Sequence, residues 1–365
     1  MGERGGNLSM STLQISLAII GGLLLAIVVA HSAWSARKNL PMQPTPDPVA
    51  PAIDPTGGDL PLDTQPERLE PGFDTDSSLD ALTALTVPEK KPGLDALIDV
   101  IAPIGVDSVV SGEAALAAMP GSRRAGSKPF AVEGLSPASG AWETPAAGQR
   151  YSAFQAGVQL ANRTGALNQI EFSEFVMKAQ AFADAIDGQP EFPDMMDEVA
   201  RARELDNFAS AHDAQLGFTL RAKHTAWSPG YVQQNAAKLG FVAGSVPGRM
   251  VLPASQSGPH APPVLGLSFD TQAAMAEDPE QTALRELTLS LDVPQVLRAE
   301  QPFERMCEAA IALAASMDGV IIDDQGQPIR PEAMEAIHAD LEQLYNTLEE
   351  RDMPAGSALG RRLFS

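Results

Sequence analysis

Three textures of apolar and polar residues follow one another along this chain. From Leu13 to Ala30 the sequence runs LQISLAIIGGLLLAIVVA without a charge. From 41 to 93 apolar residues are scattered among prolines and acids, and from Leu94 onward they recur at the spacings of strands and helices. LDALIDVIAPI, from Leu94, predicts a strand. Short apolar or alternating runs bounded by Gly, Pro or Asp predict further strands over 215–222, 249–252, 264–269, 285–293 and 320–323. Helical spacing predicts helices over 231–239, 302–317 and 331–350. The second of these carries Phe303, Met306, Cys307, Ala310, Ile311 and Ala314 on one face, with Pro302 at its start. The third carries Met334, Ile337, Leu341, Leu344 and Leu348 on one stripe. This order argues an α+β fold, an antiparallel or mixed sheet with helices on one face.

The preceding stretch echoes this one. Phe172, Phe175, Val176, Ile186, Asp187 and Gly188 fall at the spacing of Phe303, Met306, Cys307, Met317, Asp318 and Gly319, and a strand-like run over 151–160 precedes the first set. The spacing predicts two diverged copies. The first, 94–211, is the looser one and lacks a counterpart of the VIIDD strand, so its helices at 171–187 and 193–210 follow each other directly.

The uncharged run, continued through Trp34, is long enough to cross a hydrocarbon core of ~30 Å as a helix over 13–34. Leu17, Leu24 and Ile27 belong to its apolar body, Trp34 sits at headgroup level, and Arg37 and Lys38 lie just outside. A cleaved secretory signal would carry its positive charge before a shorter apolar run, which favours an anchor. The basic flank after the span places the C-terminal side in the cytoplasm. Residues 1–12 form a short flank. Residues 35–93 read as a disordered tether, with eleven prolines, ten acids, three basic residues and one aromatic, Phe73, between 41 and 93. Extended, it spans on the order of 100 Å. Residues 353–365 read as a disordered tail.

The formal charge of −22 argues against nucleic acid as a partner. One cysteine, Cys307, excludes an intramolecular disulfide and reads as a buried helix residue. Gly121, Gly126 and Lys128 imitate a phosphate loop, but Ser127 separates the lysine from the second glycine. His31, His212, His224, His260 and His338 share no metal-ligand spacing. Asp323 and Asp324 read as a strand-ending turn. Nothing points to a catalytic site, metal, cofactor or small-molecule substrate.

Leu239-Gly240-Phe241 with Gly244, LTLSLDVP at 287–294 and DGVIIDDQGQPIRPEAM at 318–334 resemble the C-terminal domain of the bacterial ZipA family. The anchor with its Trp34 to Lys38 flank and the proline- and acid-rich linker resemble the rest of that family. The resemblance covers the anchor and about residues 212–352. It implies a split β-α-β sheet domain that binds the C-terminal tail of the tubulin-like division GTPase FtsZ and tethers it to the inner membrane at the division site. In the family the tail lies in an apolar groove on the helix-free sheet face. Matched strand by strand, this chain puts Thr219, Arg221, Ser268, Asp270, Thr288 and Ser290 there, with Ser290 in the place of a large aromatic. Alternation in 287–293 agrees, since Thr288, Ser290 and Asp292 point away from the leucines. Met250 and Leu252 are the remaining apolar candidates for that face. The expected partners are FtsZ and a bilayer. The alternative is an envelope module whose sheet face binds another partner or its own first half.

Overall fold

The computed structural model describes residues 41–44, 93–255, 262–278, 282–323 and 326–365. The predicted span with Leu17, Leu24, Ile27, Trp34, Arg37 and Lys38 lies outside them, as do His31, His260, Asp324 and most of the predicted linker. No described helix is long and apolar enough to cross a membrane. The described residues divide into two compact units. The first comprises 93–213 and 358–365, and the second 41–44 and 214–357.

The first unit is built from β1 (Asp99–Val106), α1 (Gly112–Ala118), β2 (Lys128–Leu135), β3 (Phe154–Gln159), α2 (Gln169–Ala185), β4 (Gly188–Pro190) and α3 (Met195–His212). Its antiparallel sheet has the order β4-β1-β3-β2, extended at the β2 edge by short strands. Residues 100, 102, 104, 130, 132, 154, 156 and 158 point to one face, where Phe130 meets Phe175 of α2 at 6.1 Å and Phe154 meets Phe182 at 5.4 Å between ring centres. Each fully buried phenylalanine contributes on the order of 2 kcal/mol. Asn168 starts α2 through a reciprocal cap with Glu171. β4 is the counterpart strand that the sequence reading left out. Gly-Gln-Pro has no strand signature of its own and takes its extended form from pairing with the β1 edge, Val106 opposite Gly188.

The second unit contains β5 (Gln215–Ala222), α4 (Pro229–Lys238), β6 (Val242–Ala243), β7 (Arg249–Leu252), β8 (Leu265–Ser268), β9 (Glu286–Asp292), α5 (Pro302–Ser316), β10 (Gly319–Ile322) and α6 (Pro331–Glu350). Its sheet, β6-β7-β8-β9-β5-β10, is antiparallel throughout. Phe218, Leu220, Leu265, Leu267, Leu287, Leu289 and Leu291 form the buried face, against Phe303, Met306, Ala310 and Leu313 of α5. The α5 face is rotated from the expected one, with Leu313 inside and Ile311 57% exposed, because the 3.6-residue period carries the stripe from 303 through 306 and 310 to 313 and 317. On α6 only Leu341 and Leu348 of the expected stripe are buried, joined by Tyr345, while Leu344 is half-buried.

Two expectations of disorder are corrected. Pro41 is buried, and Met42 bridges Trp227, donating to the Ala226 carbonyl at 2.6 Å and accepting from the Ser228 amide at 2.9 Å. At the other end, α7 (Ala358–Leu363) belongs to the first unit, with Leu363 and Phe364 fully buried. Neither segment folds by its own propensity; each is ordered by what it pairs with.

The units share a register. Gly188 faces the last residue of β1 as Gly319 faces the last residue of β5, and the preceding Asp187 and Asp318 both take left-handed backbone, φ 53° and 52°. Continuing the pairing sets Ile104 opposite Phe154 where the second unit has Leu220 opposite Leu287, and Ala102 opposite Ala156 where it has Phe218 opposite Leu289. Gly157 thereby occupies the place of Ser290, Ile101 that of Gly217 and Ala131 that of Gly266.

Candidate functional site: the open sheet face of the second unit

Strand alternation sends every second side chain of β5, β7, β8 and β9 away from the helices. Directly opposed residues share a face, so the pairings define rows across the open side. One row runs Val242, Val251, Gly266, Ser290, Gly217. The next runs Arg249, Ser268, Thr288, Thr219 and ends at Ile322, which is buried. At ~4.8 Å per strand, the first row spans about 19 Å.

The middle of that row is floored by main chain. A Cβ on Gly266 would lie 2.6 Å from Ser290 Oγ, whereas one on Gly217 would meet nothing closer than the Thr288 methyl at 3.9 Å. Ser290 is thus a low step between two bare backbone positions. One end of the trough is apolar, with Val242 50% exposed beside Val251. Toward the other side Arg221 Nε donates to Glu286 Oε1 at 2.6 Å, an exposed ion pair that contributes little to stability but fixes both charges in place.

Of the expected face residues, Thr219, Arg221, Ser268, Thr288 and Ser290 lie on this side of the sheet. Asp270 lies past the end of β8, and its Oδ1 accepts from the Gln272 amide at 2.9 Å, capping the short helix Thr271–Ala274. Met250 and Leu252 are corrected. They pair with Leu267 and Leu265 and are buried on the helix side, 6% and 7% exposed. The β7-β8 register, invisible in the sequence, points Val251 outward instead. Gly217, Gly266, Val251, Val242 and Glu286 were missed. Gly217 and Gly266 were findable, because each stands at an outward position of an alternating strand, where a glycine leaves the backbone bare.

Other groups with chemical potential are engaged internally. In the first unit Lys128, 1% exposed, donates to Asn162 Oδ1 at 2.8 Å, Thr164 Oγ1 at 3.2 Å and the Gly165 carbonyl at 2.6 Å. Burial lowers its pKa, with Glu171 and Asp206 acting in the opposite sense. The amides of Gly126 and Ser127 donate to Glu174 and Glu171 at 2.8 Å each, so carboxylates fill the place a phosphate would take in a phosphate loop. In the second unit a cleft of about 160 Å³ is lined by Arg298, Glu304, His338, Glu342 and Tyr345. Arg298 pairs there with Glu342 and with Glu349, His338 pairs with Glu304 at 3.4 Å, and burial raises the Tyr345 phenol. Cys307 is half-buried, and burial, then Glu304 and Glu308, push its thiol up to about 11, which suits a packing role. His224 pairs with Asp318 at 2.7 Å, and His212 stacks on Phe208. Asp323 Oδ1 accepts from the Gln327 amide at 2.8 Å inside the turn after β10. Among the described residues no group of three or more His, Cys, Asp or Glu could hold a metal.

Fold and face together define the second unit as an α+β module that presents one face of an antiparallel sheet to solvent. Residues 273–340, from the end of the short helix after β8 through β9, α5 and β10 into α6, match the family model of ZipA, C-terminal FtsZ-binding domain. The match includes Glu286, Thr288 and Ser290 of the face but none of β5, β7 or β8. No curated protein matches the chain.

Proposed function

We propose that this chain is a membrane-anchored adaptor of bacterial cell division whose second unit docks the C-terminal tail of FtsZ on the open sheet face. The observation that carries this reading is the match of 273–340 to an FtsZ-binding domain, which takes in strand β9 in the interior of that sheet. An amphipathic peptide needs close approach along a shallow groove. Gly217 and Gly266 provide it on either side of Ser290, Val242 and Val251 offer apolar surface at one end, and Arg221 and Glu286 fix orientation by charge. A trough of about 19 Å accommodates roughly thirteen residues of helix at ~1.5 Å each. With so polar a floor, affinity comes from backbone approach and the valine end. We further propose that the two units are diverged copies of one fold.

The anchor is the segment 13–34, which places the folded part on the cytoplasmic side of the inner membrane. Met42 alters the expected geometry of the tether. Only residues 35–42 separate the span from the point where the chain is clipped to the second unit, a reach of at most about 28 Å. The docking unit would thus be held near the bilayer.

The test is a titration of the protein with a labelled peptide from the C-terminus of the same organism's FtsZ. Micromolar binding is expected, weakened at least tenfold by Ser290→Trp, which fills the trough, and by Arg221→Glu, which reverses the charge at its edge. A folded protein that binds no peptide up to millimolar concentration overturns the assignment.

A further inference from the structure

The first unit has the same sheet, but its outer face is not open. Gly157, at the place of Ser290, is covered by Leu94: a Cβ on Gly157 would lie 2.4 Å from Leu94 Cδ2. The Leu94 amide donates to Glu133 Oε1 at 3.1 Å, and Gln155 Nε2 donates to Glu133 Oε2 at 2.8 Å. Along the same face lies the row Asp99–Gln159, and here residues distant in sequence arrive. Arg362 Nη2 donates to Asp99 Oδ1 at 2.5 Å and its Nη1 to the Gly93 carbonyl at 3.1 Å. Gln159 Nε2 donates to the Arg362 carbonyl at 2.8 Å, and the Arg163 amide to the Ser365 carbonyl at 3.2 Å. Leu363 and Phe364 are 0% and 1% exposed, and Asp99 is 1% exposed.

This is how a short peptide is bound. A buried carboxylate takes an arginine, two large apolar side chains are enclosed, and side-chain and main-chain groups hold the peptide backbone. The bound segment is short, carries one turn and a half of helix, and follows Gly356 and Ser357 of the other unit, so it has little structure without its seat. We propose that the outer face of the first unit is a peptide-acceptor site kept filled by residues 358–365, and that a separate peptide with the same arginine, leucine and phenylalanine chemistry takes the seat when they are removed. The proposal does not depend on what the second unit binds.

The experiment uses the protein shortened to end at Ser357 and a labelled synthetic peptide of residues 358–365. Saturable binding is expected, at least tenfold tighter than to the intact protein, whose seat is occupied. It should weaken at least tenfold with Arg362→Glu in the peptide or Asp99→Asn in the protein. Equal binding to the shortened and intact proteins, or none to a shortened protein whose α2 amides remain protected, overturns the proposal. Should the shortened protein not fold, hydrogen exchange on the intact chain decides. Arg362→Ala should speed exchange at least tenfold in 93–103 and 358–365 while sparing α2, and unchanged exchange there overturns the proposal.

Discussion

Asp99 shows how one residue can carry the cost and the specificity of a seat. Its carboxyl is almost fully buried, and burial raises its pKa, while Arg362 and the Asp95 amide pull it back toward the charged form. Because the folded value lies above the unfolded one, the folded state binds the extra proton. Its contribution to stability is therefore greatest below the unfolded value and is lost as pH rises through the folded one. Removing the arginine exaggerates this. Arg362→Ala leaves a buried carboxylate that still accepts from the Asp95 amide but has no cation, a change that costs about 3 kcal/mol where Asp99 is ionised. The expected result is a further rise of the Asp99 pKa in a carboxyl-resolved titration. The stability gap from wild type, measured by denaturant unfolding, should be widest at neutral pH and narrow as pH falls through the Asp99 pKa. A gap independent of pH would show that Arg362 acts through packing alone.

At the scale of elements, capping chemistry written in a few letters fixes helix starts. Asn168 accepts from the amides of Ile170 and Glu171 at 2.9 and 3.0 Å, and Glu171 Oε2 accepts from the Asn168 amide at 3.2 Å. Glu171 Oε1 also holds Ser127, so this helix start is tied to the loop before β2. Asn168→Ala should destabilise the protein by about 1 kcal/mol in thermal or denaturant unfolding, and Asn168→Asp by much less. Strand and helix periodicity was legible wherever an element carries its own pattern: the 215–222 and 249–252 strands and the 331–350 helix have the bounds that the sequence predicts. What escaped was whatever depends on a partner. Gly188–Pro190 is a strand only because the β1 edge is free to pair with it, and Pro41 to Pro44 is ordered only by Trp227 and its neighbours. Residues 358–363 are helical in a seat formed by residues some two hundred positions earlier in the sequence. The open face was legible by alternation along β9, but the inward turn of Met250 was not, because a hairpin's register is set by its loop and its neighbour strand.

At the scale of the molecule, the adaptor reading turns on where the chain is fastened. Met42, Trp227 and Leu284 form a small ladder in which Trp227 exchanges amide and carbonyl bonds with Leu284 at 2.8 Å each, and the Trp227 indole donates to the Met317 carbonyl at 2.7 Å. Fully buried, Trp227 is a rigid post at the edge of the second unit, and Met42 is tied to it by main-chain bonds that depend little on side-chain identity. Met42→Pro removes the donor to Ala226 and should open the clip while leaving the unit folded. In reconstituted membranes, with Cys307→Ser and a dye on Glu335→Cys, energy transfer to a labelled bilayer should be strong in the parent and fall sharply in Met42→Pro, as the unit moves away on the released linker. Binding of the FtsZ peptide should be unchanged, because Met42 is not part of the trough. Unaltered transfer would mean that this clip does not set the height of the docking face above the membrane. The linker would then act as the free tether that its composition predicts.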